Sequence, residues 1–319
     1  MPENFSHYTV LRQETIQLLT SGNGTRYLDC TLGGGGDSEA ILNALPQAQV
    51  IGIDRDLRAL EAASARLAPF GGRFRACRGC FSTLESVLDD AGWDKVDGIV
   101  MDIGVSSPQI DTPERGFSFR FDAPLDMRMD PESGAPTAAD LLNTLPEAEL
   151  ARIFWEFGEE RKSRQVARAV VARRDREPWE RTGELAALLD RVIGRQHQHG
   201  LPPPTRVFQA LRIAVNHELD ELSTALRAAE RRLAPGGILA VISFHSLEDR
   251  IVKHYFQHAA QDCVCPPGMP CTCSKKVTLE IITRHPVTAS QQELAENSRS
   301  SCAKLRAARR TEAAPEYSL

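Results

Sequence analysis

At 319 residues the chain exceeds one average domain, and its 42% hydrophobic and 25% charged residues can build a sizeable core. Eight cysteines in a chain this long do not read as a secreted disulfide framework, and no apolar run approaches the roughly 20 residues that span a bilayer. The formal net charge of −5 argues against a uniformly basic nucleic-acid binder, while the polar start MPENFSHYTVLRQE is no signal peptide and makes the cytoplasm the expected compartment.

In chain order, RYLDCTL reads as a short strand, GGGG as a loop and DSEAILNAL as a helix. VIGID follows as a buried strand, then DLRALEAASARLA as a helix with apolar residues at helical spacing. FRACRGC is a third strand candidate, STLESVLDDAG a helix and VDGIVMDIG a fourth strand. Such alternation implies βαβ units and a doubly wound, parallel α/β sheet. Residues 111–136 are loop-like, rich in Pro, Gly and Asp, with SSP before them a good turn. Helical stretches follow: AADLLNTL, PEAELARIFWEFG, EERKSRQVARAVVARRDR and TGELAALLDRVIG. After the LPPPTR breaker one long helix is expected over 207–233, and APGGILAVISFHS then returns the chain to the sheet. The expected organisation is a sheet domain of residues 1–110 plus 211–319, interrupted by a helical insertion at 111–210.

A strand ending at Asp29, then glycines opening a helix, is an arrangement that cradles a nucleotide-like ligand against backbone N–H groups. Asp54 ends the next strand about 20 residues on, where an acid can accept both ribose hydroxyls. This pair fits a dinucleotide or S-adenosylmethionine. The dinucleotide fingerprint wants Gly or Ala where this chain has Ser38, and no basic residue in the loop awaits phosphates, so the methyl donor is favoured. Asp37 is a candidate helix N-cap or a partner for a bound amino group. Phe81 stands where such folds contact an adenine, and is equally explained as a core residue at a helix start. Cys263-x-Cys265-x5-Cys271-x-Cys273 can hold zinc as a four-thiolate site, although its C-x-C spacing is tighter than usual.

DCTLGGGGDS, GIDRD, DIGVSSPQIDTPERGFSFRFDAPLDMRMD, GEERKSRQVARAV, PTRVFQALRIAVNHEL, LAPGGILAVISFHSLEDRIVK and PVTASQQELAENSRSSCAKLRAA together resemble the ribosomal RNA small-subunit methyltransferase H family, also called MraW. The resemblance runs nearly end to end. It implies a Rossmann-like class I methyltransferase fold with a helical, substrate-recognising insertion. The implied activity is methyl transfer from S-adenosylmethionine to N4 of a cytidine in small-subunit ribosomal RNA at the decoding centre, within the small ribosomal subunit. Carried over residue by residue, the cofactor contacts fall on Gly34, Gly35, Gly36, Asp37, Asp54, Phe81, Asp102 and Gln109. The family usually has His where this chain has Asp37, which puts the contact to the methionine end in question.

The N4 amine is a poor nucleophile, so the implied chemistry needs acceptors beside the methyl donor and a late proton acceptor. Asp102, Ser243 and His245 are the catalytic candidates, with no metal required because a sulfonium is already an activated electrophile. Arg115, Arg120 and Arg128, interleaved with Phe117 and Phe119, are expected in a substrate-facing lid. Arg161, Lys162, Arg164 and Arg168 fit RNA and a solvated helix face equally. Lys304 and Arg306, with Arg309 and Arg310, are the better candidates for RNA contact. Two other classes share parts of this pattern: an NAD-dependent oxidoreductase, and an assembly factor that binds the methyl donor without turnover.

Overall fold

The computed structural model describes residues 9–22, 24–194, 202–266, 268 and 270–315. The first eight residues of the polar start, Leu201 of the LPPPTR breaker, and Pro267 and Met269 of the turn between the cysteine pairs lie outside them. In order the chain forms α1 (Arg12–Leu19), β1 (Arg26–Asp29), α2 (Gly36–Ala44), β2 (Gln49–Asp54), α3 (Leu57–Leu67), β3 (Phe74–Arg78), α4 (Leu84–Asp90) and β4 (Val96–Asp102). Then come α5 (Ser107–Asp111), α6 (Ala138–Thr144), α7 (Glu147–Glu156), α8 (Ser163–Arg174), α9 (Thr182–Ile193) and α10 (Thr205–Asn216). The last elements are α11 (Glu218–Arg232), β5 (Leu233–Ser243), α12 (Ser246–Ala259), β6 (Leu279–Ile281), α13 (Gln291–Glu296) and β7 (Lys304–Arg310).

Two units divide the chain: Met1–Gly104 with Leu219–Leu319, and Val105–Glu218. The second unit therefore takes in residues 105–110 and 211–218, which the sequence assigned to the sheet domain.

In the first unit seven strands lie in the order β3-β2-β1-β4-β5-β7-β6. The pairs β3-β2, β2-β1, β1-β4 and β4-β5 are parallel, whereas β7 runs antiparallel to both β5 and β6. The five strands expected from sequence are present as β1 to β5, in a Rossmann-like α/β sheet. Alternate residues feed opposite faces, as strand geometry dictates. Leu28, Ile51, Ile99, Met101, Leu239 and Val241 pack with Leu84 and Leu88 of α4, Leu226 of α11 and Phe256 of α12. Tyr27, Val50, Val100, Ala240 and Ile242 pack with Leu19 of α1, Ile41 of α2 and Leu67 of α3.

The second unit is helical around Phe154, Val166, Val170, Trp179, Leu189, Val207 and Leu211. The helix expected over 207–233 is in fact two. His217 takes a left-handed conformation (φ 52°) and its N–H donates to Ile213 O, closing α10. Asn216 beside it explains why the chain turns there. Its Oδ1 accepts from Met129 N (2.8 Å) and its Nδ2 donates to Met127 O (2.7 Å), so it grips a remote loop. Neither Gly nor Pro marks this break.

Candidate functional site

The order β2-β1-β4 places the topological switch of the sheet between β1 and β4, where ligands of open α/β sheets bind at the carboxyl ends of the strands. Asp29 and Asp102 end those strands. Asp29 accepts from Ser38 Oγ (2.7 Å) and Thr31 N (3.2 Å), so it stands beneath the glycine loop and ties it to the first turn of α2. Thr31 Oγ1 in turn accepts from Asp102 N at 2.6 Å. Asp54, at the end of β2, accepts from Gly33 N (2.8 Å) and Asp56 N (2.9 Å), fixing the other side of the loop. The supporting roles of Asp29, Ser38 and Thr31 were not read from sequence, because an acid ending a strand looks the same whether or not it supports a loop.

The glycines answer partly to the protein itself. Gly35 is left-handed (φ 79°) and N-caps α2, so Asp37 lies in the first turn of the helix and is not its cap, one of the two readings its sequence position allowed. A Cβ on Gly36 would lie 1.9 Å from Thr9 Oγ1, so α2 can approach that segment only without a side chain there. The carbonyl of Gly34 accepts from Arg66 Nη1 (3.3 Å).

Asp37 and Asp102 are the unusual groups. Asp37 Oδ1 and Asp102 Oδ1 are buried and have no hydrogen-bond partner among the described residues. Leaving buried acceptors unpaired is costly, which marks both as places for a donor supplied by a ligand. Burial, then the charges of Asp29 and Glu248, push Asp102 up to about 8. Burial, then Asp29 and Asp102, likewise raise Asp37 well above the usual carboxylate range, with Arg12 only partly offsetting them. Burial also raises Asp29 and Asp54. A ligand with an ammonium group for the unpartnered oxygens of Asp37 and Asp102, and with ribose hydroxyls for Asp54, fits this set.

These shifts carry a signed pH dependence. Raised carboxyl pKa values mean that the folded, ligand-free chain holds more protons than the unfolded one. Their contribution to stability is present below the ordinary carboxylate range and is lost as pH climbs through about 8. A bound cation favours the ionised acids, so its binding releases protons and strengthens across the same window. Thermal melts at about pH 5.5 and about pH 8 should show a larger stabilisation by the cofactor at the higher pH. An equal shift at both would remove these acids from the ligand site.

The remaining sequence candidates divide. Phe81 opens a short turn, packs partly on the sheet core, and has the Arg55 guanidinium 6.0 Å from its ring centroid. Gln109 lies in the second unit, buried in α5, where its Oε1 accepts from Ser106 N (3.0 Å) in a capping box. The Ser-Ser-Pro stretch, a good turn by its sequence, is thus a helix start. Ser243 is buried at the end of β5 and donates to Lys304 O (3.4 Å). His245 N-caps α12: its Nδ1 accepts from Glu248 N, and its Nε2 lies 3.0 Å from Glu248 Oε1. Glu248 is close enough to raise Asp102, so the cap and the acid share one electrostatic neighbourhood.

Several residues expected to meet RNA have other duties. Arg115 is buried and its Nη2 donates to the carbonyls of Arg128 (3.1 Å) and Met129 (2.8 Å). Arg128 forks onto Asp126 through Nε (2.8 Å) and Nη2 (2.7 Å). Arg306 is buried against Asp249 (2.6 Å), and Arg310 donates to the carbonyls of Glu230 and Thr278. Lys162 holds the carbonyls of Val192 and Ile193 at the end of α9. All five are internal ties. Arg120, Arg161 and Arg164 are exposed, and Lys304 is part-exposed beside Asp249 (3.3 Å). Phe117 and Phe119 pack on the core of the second unit, Phe119 edge-on to Phe208 at 5.2 Å.

No helix among the described residues is long and apolar enough to cross a membrane. The model of the MraW methylase family matches residues 4–311. The chain is 49% identical over 305 residues to the ribosomal RNA small subunit methyltransferase H of Carboxydothermus hydrogenoformans, covering 95% of this chain and 97% of that one. It is 51% identical over 309 residues to the protein of that name from Trichlorobacter lovleyi, covering 96% and 98%. An rRNA methylase structure from Streptococcus thermophilus superposes with a TM-score of 0.41 at 10% identity over 94% of each chain. The chain belongs to the MraW methylase family.

Proposed function

We propose that this protein methylates the N4 amine of a cytidine in small-subunit ribosomal RNA, at the decoding centre of the small ribosomal subunit. One observation carries the reading: a buried acid with a vacant acceptor, Asp102, ends a central strand beside the glycine loop in a chain whose relatives are named for small-subunit ribosomal RNA methylation.

S-adenosylmethionine, when bound, supplies an electrophilic methyl group. Asp54 accepts from its ribose hydroxyls, Phe81 flanks its base, and Asp37 with Asp102 balances its ammonium group. Gly34, Gly35 and Gly36 leave backbone room beside it. The cytosine amine keeps its lone pair in the ring until the nitrogen pyramidalises, so an acceptor for its N–H helps most in the transition state. Asp102 is suited to this, because an acid raised to about 8 can take a proton near neutral pH. His245, with Ser243 beside it, borders the same strand ends and orients through Glu248. Exposed Arg120, Arg161 and Arg164 and part-exposed Lys304 remain available to meet phosphates.

Mass spectrometry of ribosomal RNA nucleosides from cells with and without the protein tests this. N4-methylated cytidine should disappear from the small subunit in its absence and return when isolated subunits are incubated with protein and cofactor. Unchanged N4-methylcytidine would overturn the assignment.

A further inference from the structure

Between α12 and β6 the chain runs through residues 260–278 without helix or strand among its described residues. It buries little: Val264, a large apolar side chain, is 52% exposed. Yet four sulfurs within it converge. Cys263 and Cys271 are 3.5 Å apart, Cys271 and Cys273 3.6 Å, and Cys273 and Cys263 3.8 Å. With Cys265, all four sulfurs lie within 4.8 Å of one another.

We propose that Cys263, Cys265, Cys271 and Cys273 form a structural zinc site. Four thiolates placed tetrahedrally about 2.3 Å from one zinc ion lie about 3.8 Å from one another, and the observed separations bracket that value. The sulfurs close on a single ion and leave no room for a cluster of several irons. The backbone supports charged sulfur: Cys265 N donates to Cys263 Sγ (3.3 Å) and Thr272 N to Cys265 Sγ (3.4 Å). Lys275 and Lys276 follow Cys273 after a single serine, where cations offset the negative charge of a four-thiolate zinc centre. Four protein ligands fill the coordination sphere, so the ion has no open position for substrate and its work is structural.

That work is local. Thr278 N donates to Ala259 O (2.9 Å), which joins the two ends of the segment, and Thr278 O accepts from Thr311 N (3.0 Å) just past β7. A metal clasp within this loop stands in for the missing apolar core and fixes where β6 begins. The tight C-x-C spacing is met because the two pairs bring their four sulfurs together.

The test is elemental analysis of full-length protein purified under reducing conditions without chelator. One zinc per chain is expected, lost in Cys263→Ser and in Cys271→Ser, and unchanged in Cys302→Ser. Should the serine variants fail to fold, the wild-type chain itself answers. Stripped with chelator and reductant, it should take up one cobalt ion, develop the visible bands of tetrahedral thiolate coordination, and lose them on addition of one zinc. Reduced chain that holds under a tenth of an equivalent of zinc and binds no cobalt would overturn the site. Recovery of these cysteines as disulfides in that preparation would do the same.

Discussion

Asp102→Asn should fold normally and lose methyl transfer by roughly 100- to 10,000-fold. The fold is expected to survive because Asp102, raised to about 8, is already largely protonated in the ligand-free chain at neutral pH. Asparagine reproduces that neutral shape, and the backbone bond from residue 102 to Thr31 Oγ1 does not depend on the side chain. Above pH 8 the variant should even be the more stable of the two ligand-free proteins, since it has no charge to bury. Function is another matter. An amide cannot balance an ammonium group or take a proton, so both roles proposed for Asp102 fail together. Calorimetry and single-turnover kinetics separate them: weakened cofactor binding reports the first, and a lower rate at saturating cofactor the second. Wild-type values for both would exclude Asp102 from the site.

How legible this site was depends on the kind of signal each part leaves. β1, β2, β4 and β5 are short apolar runs bounded by Gly, Asp or Ser, because a parallel strand buried on both faces must be apolar along its length. Asp54 and Asp102 were visible as acids closing such runs. The support beneath them was not, because Thr31 bridges to β4 across 71 positions and no local pattern announces it. The start of α5 was readable: Ser106 with Gln109 three residues later is a capping box, masked by the turn preference of Ser-Ser-Pro. The break at His217 had no local signal, since Asn216 is recruited by residues 127 and 129.

The arginines failed for a related reason. A run of cations looks solvated until the carboxylates and carbonyls that receive it are known, and these come from distant segments. β7 is the clearest example, and it supports the second large prediction.

Arg306→Ala is expected to destabilise the first unit by about 3–5 kcal/mol, because it leaves Asp249 buried without its closest cation. The guanidinium lies on β7 with its Nε 2.6 Å from Asp249 Oδ1, and both side chains are largely buried, at 10% and 13% exposure. Burial alone would raise Asp249, but the hydrogen bonds and charge of Arg306, helped by Lys304, hold it below the usual carboxylate range. The pair therefore contributes stability above that range and loses it as pH falls. Denaturant titration at neutral pH measures the loss, and Asp249→Ala in the same chain should recover part of it by removing the stranded charge. A variant of unchanged stability but weakened binding to ribosomal subunits would restore Arg306 to the RNA surface.

The position of β7 also orders events during synthesis. Residues 304–310 fill the gap between β5 and β6, so the sheet stays open at that seam until those residues have been translated. The helical unit is continuous in sequence and can collapse around its own core while the flanking unit still waits for its closing strand. A nascent chain of this protein therefore passes through a stage with β5 lacking a neighbour on one side, an adhesive edge open to mispairing. That edge is offered from the completion of β5 at Ser243 until β7, which begins at Lys304, has been made.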